Sequence, residues 1–235
     1  MKKIVFSFLT VLMLGLSGCN KPGDSISKYE LIPAIYQLNF DLFQYTFKTP
    51  LGTVYSSEIQ NAEKLYDGAM ILTTFSVNHD QQTNDKYTIA TNVGYTNPLN
   101  VEYAESTTGG ESQTGDFDLF ISGFDFFGSI NYYCFFYFDH GTVKEDDKFL
   151  YEMTYDREQT GTPSVKIRAK KSSTGSSQIC VFNLSSFYYT FRDNDTNIAN
   201  FKVQLKTGED ADGNDVYTVV RDNYGNEFIF QIKAE

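Results

Sequence analysis

Tryptophan is absent from this chain, histidine occurs twice, cysteine three times and proline five times in 235 residues. Each shortage removes a class of chemistry. His79 follows a strand-like run beside Asp80, and His140 sits in Asp139-His140-Gly141. Both are expected as exposed turn residues. Neither adjoins a serine in a nucleophile-elbow pattern, and Gly-x-Ser-x-Gly does not occur. No two cysteines have the CxxC spacing of zinc or redox sites, so no metal and no cofactor are expected. No stretch reaches 18 apolar residues, which argues against a spanning helix. Positive charge is scarce: 19 Lys and Arg against 30 Asp and Glu give a net charge of −11. An acidic surface repels phosphate backbones, so nucleic acid is not an expected partner.

What is present begins at the N-terminus. Lys2 and Lys3 precede an apolar run over residues 4–16, followed by Leu16-Ser17-Gly18-Cys19. A basic start, a short apolar core and small residues before a cut describe a secretory signal peptide. The Leu-Ser-Gly-Cys sequence resembles a bacterial lipobox. That resemblance implies removal of residues 1–18, lipidation of Cys19 and a membrane partner reached through the lipid. Two or three acyl chains hold a soluble body firmly where one does not. Residues 19–29 are small and polar and read as a tether. Without Lys2 and Lys3, 17 basic residues face 30 acidic ones, a charge of −13. Attachment at the outer membrane is expected. Asp24 is the sole acid shortly after Cys19, so the periplasmic and surface faces both stay open.

The body reads as all-β. Runs rich in Val, Ile, Thr, Tyr and Phe alternate with Gly, Asn, Asp and Ser turns. Residues 31–38, 42–48, 69–77 and 87–95 form a first set, with a short helix expected over 56–65. Residues 104–116 hold no large apolar side chain and read as a break in the pattern. The expected organisation is therefore a domain over 30–103, a linker over 104–114 and a domain over 115–235. In the second domain, residues 132–138 are apolar on both faces. Residues 201–206, 216–221 and 227–233 read as a meander whose joints are rich in Asp, Asn and Gly, residues suited to tight turns.

The order of these pieces resembles the NigD-like lipoproteins of Bacteroidetes. The resemblance rests on the lipobox, on Leu51-Gly52-Thr53-Val54-Tyr55, on Leu65-Tyr66-Asp67-Gly68 leading into 69–77, and on the strand runs 119–128, 131–138, 165–169 and 181–184. It implies a small OB-like barrel followed by an antiparallel β-sandwich. It also implies a non-enzymatic envelope protein that binds a protein or glycan partner, with bacteriocin-associated protection as the family-based form. A carbohydrate-binding accessory lipoprotein of a polysaccharide-uptake system is the alternative.

A few residues carry site expectations. Cys134 and Cys180 lie in apolar strand runs; in an oxidising compartment they form either a disulfide or two buried thiols. Asp210-Ala-Asp212-Gly-Asn214-Asp215 resembles the front of a calcium loop, but the sixth and twelfth positions are Asp215 and Arg221 where an EF-hand needs Gly and Glu. A wide hairpin turn is the expected reading. Glu145-Asp146-Asp147 reads as a solvated loop. Tyr188, Tyr189 and Tyr224 are the aromatic candidates for glycan contact: an exposed planar patch favours that reading, and burial removes it.

Overall fold

The computed structural model describes residues 25–83, 86–110, 117–141, 143–144 and 146–233. The signal peptide, Cys19, linker residues 111–114 and Glu145 lie outside the described residues. The described chain is almost entirely β, as its strand periodicity requires, and divides into two units.

The first unit covers residues 25–99 with 127–130. Its strands are β1 (Ile26–Asn39), β2 (Gln44–Thr49), β3 (Gly52–Tyr55), β4 (Ala69–Asn78), β5 (Thr88–Ile89) and β6 (Thr91–Tyr95). The sheet order is β5-β3-β2-β1-β4-β6. Only Ala90 separates β5 from β6, yet β5 pairs parallel with β3 while β6 pairs antiparallel with β4. One short segment thus pairs with strands at both ends of this curled sheet. Ala34, Tyr36, Phe47, Val54, Ile71 and Phe75 fill its interior. The expected helix over 56–65 shrinks to a 3-10 turn at Ser57–Ile59. The Glu58 carboxylate on that turn accepts the Asn92 and Val93 N–H groups at 2.9 Å each, so the acid is used on β6.

The second unit covers residues 100–110, 117–126 and 131–233. Its strands are β7 (Val101–Ser106), β8 (Gly123–Ile130, of which 123–126 lie in this unit), β9 (Tyr133–Asp139), β10 (Lys148–Tyr155), β11 (Ser164–Ser172), β12 (Ile179–Asn183), β13 (Ile198–Glu209), β14 (Asp215–Val219) and β15 (Phe230–Lys233), with, among the described residues, the α-helix α1 (Ser185–Phe191). They form a single sheet ordered β14-β13-β11-β10-β7-β12-β9-β8, with β15 also on β13. Alternation sets the faces: Val165, Ile167 and Ala169 of β11 are buried, while Lys166, Arg168 and Lys170 point the other way. The sheet curls so that side chains of β8 pack against β15. Phe124 and Phe126 of β8 lie 5.8 and 5.3 Å, edge to face, from Phe230 of β15.

Two sequence expectations change. The second unit is mixed, not purely antiparallel: β7 runs parallel to both β10 and β12, and β11 parallel to β13. Turn signals report only local hairpins, and these neighbours are joined by long crossovers. The boundary also moves, from residue 104 to the Leu99/Asn100 joint. Residues 104–106, assigned to the linker, complete β7 at the middle of the sheet, where Ala104 pairs with Met153. A strand this short with a polar outer face carries too little apolar signal to be read locally.

Candidate functional site

The aromatic candidates are arranged by α1 and the β8–β9 turn. Seven residues are too few for a helix to stand on propensity alone. Packing holds α1 in place. Phe187 and Tyr188 are buried, and the Phe187 ring meets Tyr155 edge-on at 5.2 Å and Phe191 at 4.8 Å. Asn183 Oδ1 accepts the Ser185 N–H at 2.9 Å at the helix start, and the Arg192 N–H donates to Tyr188 O at its end.

This geometry separates the three tyrosines. Tyr188 is 2% exposed and its hydroxyl donates to Asn197 O at 3.1 Å, so it belongs to the core and not to a glycan platform. Tyr189 is the next residue, about 100° further round the helix, and is 59% exposed. Tyr224 is 91% exposed but stands in the separate turn closed by Asp222 and Asn226.

Tyr189 acquires two partners. Asn131, at φ 51°, turns the chain between β8 and β9 and brings Tyr132 forward. The Tyr132 ring lies 5.2 Å from Tyr188 and 5.6 Å from Tyr189, and its hydroxyl is 2.8 Å from that of Tyr189. This hydrogen bond, with burial, raises the Tyr132 pKa above the ordinary tyrosine value. The Arg192 guanidinium lies 5.3 Å from the Tyr189 ring and 5.8 Å from Tyr188. The three rings are inclined to one another at 46–77°, so they form a corner and not a flat shelf. Tyr132 and Arg192 were not singled out from the sequence. The Ile-Asn-Tyr step, with Asn suited to a left-handed turn, is the one local signal that could have pointed to Tyr132.

A second exposed aromatic pair occupies the β1–β2 turn of the first unit. Phe40 and Phe43 are 76% and 83% exposed. Asn39 Oδ1 accepts the N–H groups of Asp41 and Leu42, which fixes the turn. Phe43 adopts φ 51°, a left-handed conformation that bulky residues rarely take.

The remaining candidates are structural. Cys134 and Cys180 are free, buried thiols, not a disulfide. Across β9 and β12, Cys134 faces Phe182 and Cys180 faces Phe136, so the two cysteines are diagonal neighbours. Diagonal Cα separations run about 7–8 Å, beyond the span a disulfide bridges. Burial pushes both thiol pKa values up. His140 is half-buried instead of exposed. Its Nε2 is 3.0 Å from Tyr151 Oη and its Nδ1 3.3 Å from Phe120 O, and burial pulls its pKa down. His79 is exposed, with Nε2 2.9 Å from Ser27 Oγ. Asp210 Oδ1 accepts the Asp212 and Asn214 N–H groups, so this carboxylate closes a turn. Asp147 pairs with Lys171 at 2.6 Å. Among the described residues, no helix is long and apolar enough to cross a membrane, and no group of His, Cys, Asp or Glu is placed to hold a metal ion.

No family model and no curated protein matches the chain. Solved structures do. An uncharacterized protein from Parabacteroides merdae superposes with a TM-score of 0.66 at 18% identity, over 87% of this chain and 98% of that one. The likeness spans both units and shows a shared fold. A protein of unknown function from Bacteroides vulgatus (TM-score 0.48, 11% identity, 83% and 90% coverage) is more distant. So is a Bacteroides fragilis protein provisionally named a lipoprotein (0.48, 11%, 89% and 99%).

Proposed function

We propose that this chain is a lipid-anchored, non-enzymatic binding protein of the bacterial cell envelope, held at the outer membrane through Cys19. It engages its partner through the corner formed by Tyr132, Tyr189 and Arg192. The observation that carries this reading is the exposed Tyr189 ring, backed by Tyr132 and flanked by a guanidinium. Tyrosine and arginine supply large contact area and directed donors, and they dominate recognition surfaces. The rigid Phe40/Phe43 turn adds a second exposed surface of the same kind.

The NigD-like resemblance gives the reading its finer form, a partner linked to bacteriocin protection. The carbohydrate-accessory reading is favoured by one feature: the Tyr189 ring is 59% exposed, although burial of Tyr188 removes the two-tyrosine platform. The test is binding of the full mature chain to purified bacteriocins and to an immobilised glycan panel, alongside a Tyr189→Ala/Arg192→Ala variant. The expected result is binding in one class that the variant weakens at least tenfold. Turnover of peptide, ester or glycosidic substrates, or binding that the variant leaves untouched, overturns it.

A further inference from the structure

Arg192 has no carboxylate within ion-pair distance among the described residues. Among the described residues of the same unit, three less exposed cations are neutralised by acids. Arg168 is paired with Glu152 at 2.8 Å and Asp215 at 3.1 Å, Lys202 with Glu227 at 2.7 Å, and Lys206 with Glu209 at 2.9 Å and Asp215 at 2.6 Å. The acids nearest Arg192 in sequence do not neutralise it. Asp193 Oδ1 instead accepts the N–H groups of Asp195 and Thr196 and the Thr196 hydroxyl. Placement just past the C-terminus of α1 favours a cation there without cancelling its charge.

The corner therefore presents three features side by side. There is a partly exposed Tyr189 ring, a hydroxyl pair on Tyr132 and Tyr189, and a guanidinium without a carboxylate partner among the described residues that rests on the Tyr188 and Tyr189 rings. In the hydroxyl pair one proton makes the 2.8 Å contact and the other is left to donate outward. A uronic acid residue matches all three. Its C–H face covers an aromatic ring, its hydroxyls meet the tyrosine oxygens, and its carboxylate accepts paired N–H bonds from the guanidinium. An acidic peptide supplies the carboxylate but not the apolar ring face beside it. We infer that the Tyr132–Tyr189–Arg192 corner binds a carboxylate-bearing glycan, a step that rests on the binding function proposed above and names its ligand class.

The test uses the full mature chain and an array of uronate oligosaccharides (galacturonate, glucuronate and mannuronate types), each beside its carboxyl-reduced neutral counterpart, with polyglutamate as the peptide control. Binding to at least one uronate, about tenfold stronger than to its reduced form, is the expected result. Arg192→Gln should remove that tenfold preference, and Tyr189→Ala should weaken both forms. Both sites are exposed, and an unchanged circular dichroism spectrum checks the fold of each variant. Equal binding of acidic and reduced sugars overturns the ligand class but leaves the binding function standing. Polyglutamate bound in preference overturns the glycan. A uronate preference that survives Arg192→Gln overturns the site. Failure to bind any uronate overturns the inference, and the binding function stands or falls separately on the bacteriocin and neutral-glycan measurements.

Discussion

Lys206 is almost completely enclosed, with a side chain 3% exposed, yet its ammonium is matched on three sides. Phe117 O accepts at 2.7 Å, Glu209 Oε1 at 2.9 Å and Asp215 Oδ1 at 2.6 Å. Removing one partner of such a group strands the others, so Lys206→Met should cost about 3 kcal/mol in urea unfolding. Burial works to raise the Asp215 pKa, but hydrogen bonds from Lys206 and Arg168 outweigh it and hold the carboxyl below its ordinary value. Burial likewise works to lower the Lys206 pKa, and its bonds to Asp215 and Glu209 outweigh that and raise it. The Asp215 contribution is complete above an unfolded carboxylate value of about 3.9 and is lost as pH falls through the lower folded one. The Lys206 contribution is complete below about 10.4 and is lost as pH rises through the raised folded value. A plateau in the urea midpoint between these limits is expected, and Asp215→Asn should lower the plateau and flatten its acid limb. The thiols give a second check at this scale. Cys134 and Cys180 should resist a thiol reagent in the native protein and titrate as two thiols in denaturant; a bonded pair would titrate only after reduction.

At the scale of elements, turns decide where strands stop. Asp210-Ala-Asp212-Gly213-Asn214 and Asp222-Asn-Tyr224-Gly225-Asn226 are built alike: the first Asp accepts N–H bonds two and four residues on, and its own N–H donates to the final Asn carbonyl. Asp210→Ala should loosen the β13–β14 connection by about 1 kcal/mol. Millimolar calcium should leave the melting temperature unchanged, since this carboxylate is already engaged. A different connection docks onto β10, where Ser176 and Phe149 exchange backbone bonds of 2.8 and 2.9 Å. Gly175 precedes it at φ 122°, and a Cβ there would stand 2.3 Å from Phe149 O. Gly175→Ala combines a strained backbone with a clash and should cost about 2 kcal/mol or more on thermal unfolding. These turns were legible because their signals lie within five residues. Helix α1 was not: Ser-Ser-Phe-Tyr-Tyr-Thr-Phe has no propensity that marks a helix, and it forms because Phe187 finds Tyr155 and Phe201 in distant strands.

For the whole molecule, the proposed lipid anchor and the proposed binding corner make separable predictions. Cys19→Ser should release the mature chain from the membrane fraction on cell fractionation while leaving ligand binding in solution intact. Tyr189→Ala should do the reverse.

The sequence by itself determined the strand content, the sites of the Asp-Gly-Asn turns and the lipobox-like pattern at Cys19. All of these depend on neighbours or on the two-residue period of a strand, and both are written locally. Tertiary structure alone decided the parallel pairs, the fate of the cysteines and the sorting of Tyr188 from Tyr189. Adjacent in sequence and alike in chemistry, these two tyrosines differ because a helix turns one toward the core and the other toward solvent. The partnership of Tyr132 with Tyr189 spans 57 residues, and that of Lys206 with Phe117 spans 89. Pairings over such distances are set by how the sheet curls and by what its closed interior must exclude, and no local pattern encodes either.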